Sequence, residues 1–246
     1  MTTSAVWNLS GNYAHLKFGD LRATVDITRP GLGLHEIIVR GQSLTDAHLL
    51  TAQFAEPQPN AEQPLTDSFI RGNDLVLTYS PTPTRPVRLQ VYWRVLTEAD
   101  TLNCAGGVEM QVSVQTSLLH AWPALVIKTH LSNTVVAPID CDSISASLLP
   151  VRSAAPRPSA DCWLCHPRDA GWSYVEMAHP ADVERAELQH SAEGAELSHY
   201  LFSDSLEKGV ILRARSRGIF ALATGDEATA RNLYERFLAA PLPLTT

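Results

Sequence analysis

The sequence predicts an all-β protein, a large antiparallel β-sandwich of two sheets packed face to face and closed by one C-terminal helix. Three observations predict it. Apolar and polar residues alternate with period two in segment after segment, the mark of half-buried strands. Proline and glycine clusters separate those segments at short intervals, as turns do. A single stretch, near the C-terminus, carries apolar residues at helical spacing.

Leu21, Ala23, Val25 and Ile27 alternate against Arg22, Thr24 and Asp26, so the first clear strand lies there. Pro30–Gly33 reads as a turn and His35–Val39 as the next strand. Gln53–Asp67 contains Pro57, Pro59 and Pro64. Proline withholds a ladder donor, so this segment reads as a surface loop. Leu75–Tyr79 is a strand, and Pro81, Pro83 and Pro86 mark another loop. Val87–Val95 is the most regular strand, with Val87, Leu89, Val91, Trp93 and Val95 on one side. Val108–Val114 repeats the pattern, and Leu125–Leu131 follows it. As neighbours in an antiparallel meander, these three strands pool Arg88, Gln90, Tyr92, Arg94, Glu109, Gln111, Lys128 and His130 on one face.

Ser153–Ser159 is a proline-rich linker, and the chain on both sides of it reads as one domain, 1–246. Pro180, with Asp182 and Glu184 behind it, has the form of a short helix start. Glu193–His199 reads as a loop. Val210–Ala214 and Ile219–Ala223 read as two closing strands separated by Arg215–Gly218. Asp226–Ala239 is the helix: Ala230, Leu233 and Phe237 share a face, and Pro241 follows its end.

Composition excludes several functions. A net charge of −7 supplies no basic field for nucleic acid or an anionic membrane. No apolar run approaches the roughly 20 residues that span a bilayer. Four cysteines are too few for a disulfide scaffold. The first residues carry neither a basic nor an apolar leader segment, so the expected location is the cytoplasm, with reduced thiols. Neither nucleic acid nor membrane is expected as a partner, and the oligomeric state stays open. Nucleotide-binding glycine loops and the G-x-S-x-G elbow are missing from the sequence.

Chemistry concentrates between Asp161 and Asp182. Cys162-Trp163-Leu164-Cys165-His166 matches the C-x-x-C-H haem-attachment pattern and also half of a zinc site. Its second half is missing, because Cys104 and Cys141 stand alone, so the reading is two core thiols with no metal and no cofactor. Tyr174, Glu176, His179 and Asp182 sit near a strand end, where Glu176 and His179 are candidates for general base and acid. Arg213 and Arg215 are spaced to share a strand face and to grip an anion or hydroxyl. The pooled strand face offers paired donors and acceptors beside an aromatic ring, which suits a sugar or polyol. Its binding candidates are Arg71, Arg88, Tyr92, Arg94, Gln111 and His130. The same face serves equally for a non-catalytic binding or assembly module.

Two places resemble the galactose mutarotase-like β-supersandwich group. One is Leu21–Ile27 followed by Gly31–Ile37 and Gly41; the other is Val108–Val114 with Ala124–Asn133. The resemblance implies a sugar on a polar sheet face, with a His acid and a Glu base opening the ring. It implies a fold and a place to look, not a mutarotase activity; if the protein is an enzyme, the expected chemistry is acid–base work at a sugar carbon, of epimerase, mutarotase or lyase type.

Overall fold

The structure is a computed structural model that describes residues 6–55, 63–97, 104–141, 161–168, 170–222 and 226–240. Two antiparallel sheets face each other. The first contains β1 (Trp7–Ser10), β2 (Tyr13–Phe18), β3 (Leu21–Asp26), β4 (Leu34–Val39), β5 (Gln42–Ser43), β6 (His48–Phe54), β12 (Leu125–Ser132), β16 (Arg185–His190) and β17 (Gly194–Leu201). Its order is β1-β2-β3-β4-β6-β12-β17-β16, with β5 paired to β4. The second contains β7 (Leu65–Arg71), β8 (Asp74–Tyr79), β9 (Val87–Val95), β10 (Gly106–Thr116), β13 (Thr134–Pro138), β14 (Cys162–Pro167), β15 (Trp172–Ala178) and β19 (Ile211–Leu222). Its order is β13-β14-β15-β19-β10-β9-β8-β7. A small ribbon pairs β11 (His120–Ala121) with β18 (Leu206–Glu207).

Alternation decides which residues fill the space between the sheets. Leu89, Val91, Trp93, Met110 and Phe220 enter it from the eight-stranded sheet, and Trp7, Val25, Leu49, Ile127 and Leu197 from the nine-stranded sheet. Helix α1 (Asp226–Ala239) packs on the outer side of the eight-stranded sheet, against β14, β15 and β19. Its Ala230, Leu233, Tyr234 and Phe237 bury Leu164, Val175, Met177 and Ile219 in a second apolar cluster. Each large side chain so buried contributes about 1.5–3 kcal/mol.

Four elements differ from the sequence reading. β12 does not neighbour β10: it pairs with β6 and β17 in the opposite sheet, so the expected meander stops after two strands. Glu193–His199 is not a loop but most of β17, whose Ala195, Leu197 and His199 turn inward. The segment after Pro180 is a turn leading into β16, not a helix. There His179 and Asp182 close the turn, with the Asp182 N–H donating to the His179 carbonyl. Finally, Arg215–Gly218 does not interrupt the closing strands, which are one continuous β19. Gly218 signalled a turn but serves packing instead. A Cβ there would lie 2.3 Å from the Tyr174 hydroxyl, so only glycine leaves room for that ring. The proline-rich linker at 153–159 lies outside the described residues.

Candidate functional site

Register across the eight-stranded sheet stacks the outward-pointing side chains into rows. One row runs Arg71, Asp74, Arg94, Glu109, Arg217 over β7, β8, β9, β10 and β19. The next runs Phe69, Val76, Tyr92, Gln111, Arg215 over the same strands. It ends at His179, one residue past β15, whose N–H donates to the Arg215 carbonyl. A third runs Asp67, Thr78, Gln90, Ser113, Arg213. Arg88 lies one row further on, opposite Gln115. Strands are about 4.8 Å apart, so Tyr92 and Arg215 stand on backbones about 10 Å apart, within the span of a small saccharide.

The rows are cross-linked. Arg94 grips Asp74 through both Nε (2.8 Å to Oδ1) and Nη2 (3.0 Å to Oδ2). Arg217 donates Nε and Nη2 to Glu109 Oε2, at 3.1 and 2.6 Å, with both side chains buried. The Tyr92 hydroxyl donates to Gln90 Oε1 (2.8 Å), and Gln90 Nε2 donates to Thr78 Oγ1 (3.0 Å). Such pairing fixes rotamers in advance, which lowers the entropy that a ligand would otherwise have to remove. At the Phe69 end the surface is aromatic and open: Phe69 is 40% exposed and Tyr92 is half-buried.

At the other end, α1 closes over the sheet. The Arg215 and Arg217 guanidiniums each lie 4.9 Å from the Phe237 ring centre, and the His179 ring meets the same phenyl edge-on at 5.9 Å. Burial, and after it the Arg215 charge, pushes the His179 imidazole down to about 4. Its Nδ1 accepts the Ala181 N–H (3.3 Å), which leaves the ring proton on Nε2. The unfolded chain therefore takes up a proton at His179 first as acid is added. The stability this histidine contributes is complete above its ordinary value of 6.5 and is lost as pH falls toward about 4. His179→Gln is expected to flatten that part of the pH dependence, seen as a smaller drop in the urea midpoint over that window than in the parent protein.

The expected proton-transfer pair is not brought together. Glu176 points inward from β15 and is fully buried between the sheets, whereas His179 lies on the outer side beneath α1. Glu176 has other partners. It accepts the Tyr174 hydroxyl at Oε2 (2.8 Å) and meets His199 Nε2 at Oε1 (3.0 Å). His199 comes from β17, so this contact ties one sheet to the other through the core. Burial, reinforced by the Glu176 charge, holds the Tyr174 phenol well above its usual range. His199 Nδ1 has no hydrogen-bond partner among the described residues. Sequence reading missed His199 because its segment, Glu-Leu-Ser-His, looked polar; the alternation of Ala195, Leu197 and His199 was the available signal.

Arg71, Arg88, Tyr92, Arg94 and Gln111 do share the outer face described above. His130 does not: β12 carries it on the outside of the opposite sheet, across from His48 and Glu196. Cys162 and Cys165 fall on opposite faces of β14, Cys162 under the helix and Cys165 in the inter-sheet core. An odd spacing on a strand separates two side chains in this way, so the pair does not converge on one metal. Among the described residues no three His, Cys, Asp or Glu groups cluster as metal ligands. A cleft of about 290 Å³ opens elsewhere, at the edge of both sheets, beside Gln42, Thr45, Leu131, Asn133, Arg168 and Trp172. No described helix is long and apolar enough to cross a membrane.

No protein-family model and no curated protein sequence matches the chain. Solved structures match its fold. An Escherichia coli K12 protein provisionally named an aldose 1-epimerase aligns with a TM-score of 0.57 at 10% identity, over 85% of this chain and 98% of that one. A second protein of that provisional name, from Klebsiella pneumoniae, gives 0.51 at 8% identity, over 94% and 85%. The heparan sulfate lyase HepC of Pedobacter heparinus, in a mutant form, gives 0.54 at 12% identity, and this chain spans 37% of that enzyme. The chain has the fold of the galactose mutarotase-like β-supersandwich group.

Proposed function

We propose that the chain binds a saccharide on the outer face of its eight-stranded sheet. One observation carries the reading: a single row sets the open aromatics Phe69 and Tyr92 in line with Gln111, Arg215 and His179. Sugars ask for that combination, since their C–H faces stack on rings while their hydroxyls both donate and accept hydrogen bonds. The fold neighbours support it, because two are provisionally named for aldoses and one for a polysaccharide. Tyr92→Ala removes the ring and the hydroxyl tied to Gln90. It is expected to weaken saccharide binding about tenfold or more, equivalent to about 1.4 kcal/mol, with little loss of stability, because Tyr92 is half-buried. Titration calorimetry on a ligand found by glycan array checks this. Unchanged affinity in Tyr92→Ala removes the site.

A second reading, anomer interconversion on the same face, is favoured by His179. It is uncharged at neutral pH and carries its proton on Nε2. Glu109, two strands over and one row away, supplies a carboxylate. Proton NMR of the α and β anomers of glucose and galactose tests it. Rates falling to the spontaneous value in His179→Gln and Glu109→Gln support the reaction. A parent protein no faster than buffer ends it and leaves the binding proposal standing.

A further inference from the structure

Arg215 is a buried cation on this face whose donors are not all used. It is only 3% exposed. Of the guanidinium nitrogens, Nη2 donates to the Ala240 carbonyl (3.3 Å), while Nε and Nη1 have no hydrogen-bond partner among the described residues. The nearby Asp182 carboxylate does not answer them: its Oδ2 accepts the main-chain N–H of Arg215 instead (3.1 Å). Glu109 is already taken by Arg217. Buried guanidinium N–H groups left without acceptors are costly, and native proteins rarely leave them so. Beside it, His179 Nε2 carries a proton with no acceptor among the described residues, since Nδ1 is occupied by the Ala181 N–H. Phe237 holds both arginines and the histidine against one ring.

We infer that Arg215 and His179 form the subsite for an oxyanion, a carboxylate or a phosphate carried by an acidic saccharide. This rests on the saccharide reading above and names the class of sugar. Arginine fits the task because its planar fork presents several N–H groups to carboxylate or phosphate oxygens and is more weakly hydrated than an ammonium. The neutral imidazole adds a further donor without adding charge. In the same row, Tyr92 and Gln111 lie toward the open end, where the rest of the sugar ring would sit.

The test is titration calorimetry of the full chain with glucose, glucuronate, glucose 6-phosphate and inorganic phosphate. Binding of at least one acidic sugar about tenfold or more tighter than glucose is expected, the effect of one charge-assisted bond. Whichever acid binds more tightly identifies the oxyanion as carboxylate or phosphate. Arg215→Gln and His179→Gln are each expected to bring the ratio of acidic-sugar to glucose affinity down toward one, whatever each variant loses in glucose binding itself, and circular dichroism of each variant shows that it is folded. Arg215→Lys keeps the charge and is expected to recover part of the preference. Equal affinity for glucose and both acids overturns the oxyanion subsite and spares the saccharide site. A preference that survives Arg215→Gln overturns it as well. Phosphate bound through Arg215 with no sugar bound at all sinks the saccharide reading and the inference that rests on it. No binding of any of the four does the same.

Discussion

Glu176→Ala is expected to cost about 3–5 kcal/mol of stability, since it strands two buried donors at about 1–3 kcal/mol each. The reason is positional. Glu176 and His199 are both fully buried, and the Glu176 carboxylate accepts from His199 Nε2 and from the Tyr174 hydroxyl. Without the carboxylate, two donors are stranded in an apolar interior. In a chain of 246 residues each kilocalorie shifts the melting temperature by about 2–4 °C, so a fall of roughly 6–20 °C should follow. Glu176→Gln keeps an acceptor oxygen and should lose less, about 1–3 kcal/mol. Urea unfolding followed by tryptophan fluorescence measures both. A Glu176→Ala variant as stable as the parent would mean that the two sheets are not joined there. The substitution also separates two roles for this residue. As a sealed tie between sheets, it should affect ligand binding only in proportion to unfolding.

The second large effect concerns Glu109 and Arg217, another buried pair, on the helix side of the same sheet. Glu109→Leu or Arg217→Met alone is expected to cost about 3–5 kcal/mol, because each leaves the other charge buried and unmatched. The double variant should cost much less than the sum, since apolar residues of similar size fill the site without a stranded charge. Coupling of several kcal/mol in that cycle supports the paired geometry. Additive losses would contradict it. Phe237 sits over Arg217, so the double variant should retain α1 in place, visible as unchanged helical content by circular dichroism.

Much of this architecture is legible in the sequence. Val87–Val95 and Val108–Val114 were readable as strands because each has one apolar and one polar side, and they do pair directly. From that pairing the row containing Tyr92 and Gln111 follows. What the pattern does not encode is which strands become neighbours. Leu125–Leu131 has the same alternation as β9 and β10, yet crosses to the other sheet, and His130 goes with it. Local alternation reports burial of a face and is silent on pairing partners. Gly218 misled for a related reason: glycine marks turns, but it also marks close approach of a neighbour, here Tyr174. The unmet donors of Arg215 were beyond reach, since they depend on where Asp182, Glu109 and Ala240 lie in space.

The outer side of the eight-stranded sheet is proposed to take the ligand. Amide chemical-shift mapping of the labelled protein, titrated with the saccharide that binds best, tests it most directly. The largest shifts are expected along the row of Phe69, Tyr92, Gln111 and Arg215, leaving β12 and β17 unmoved. Shifts gathered around His130, or in the Trp172 cleft, would contradict it.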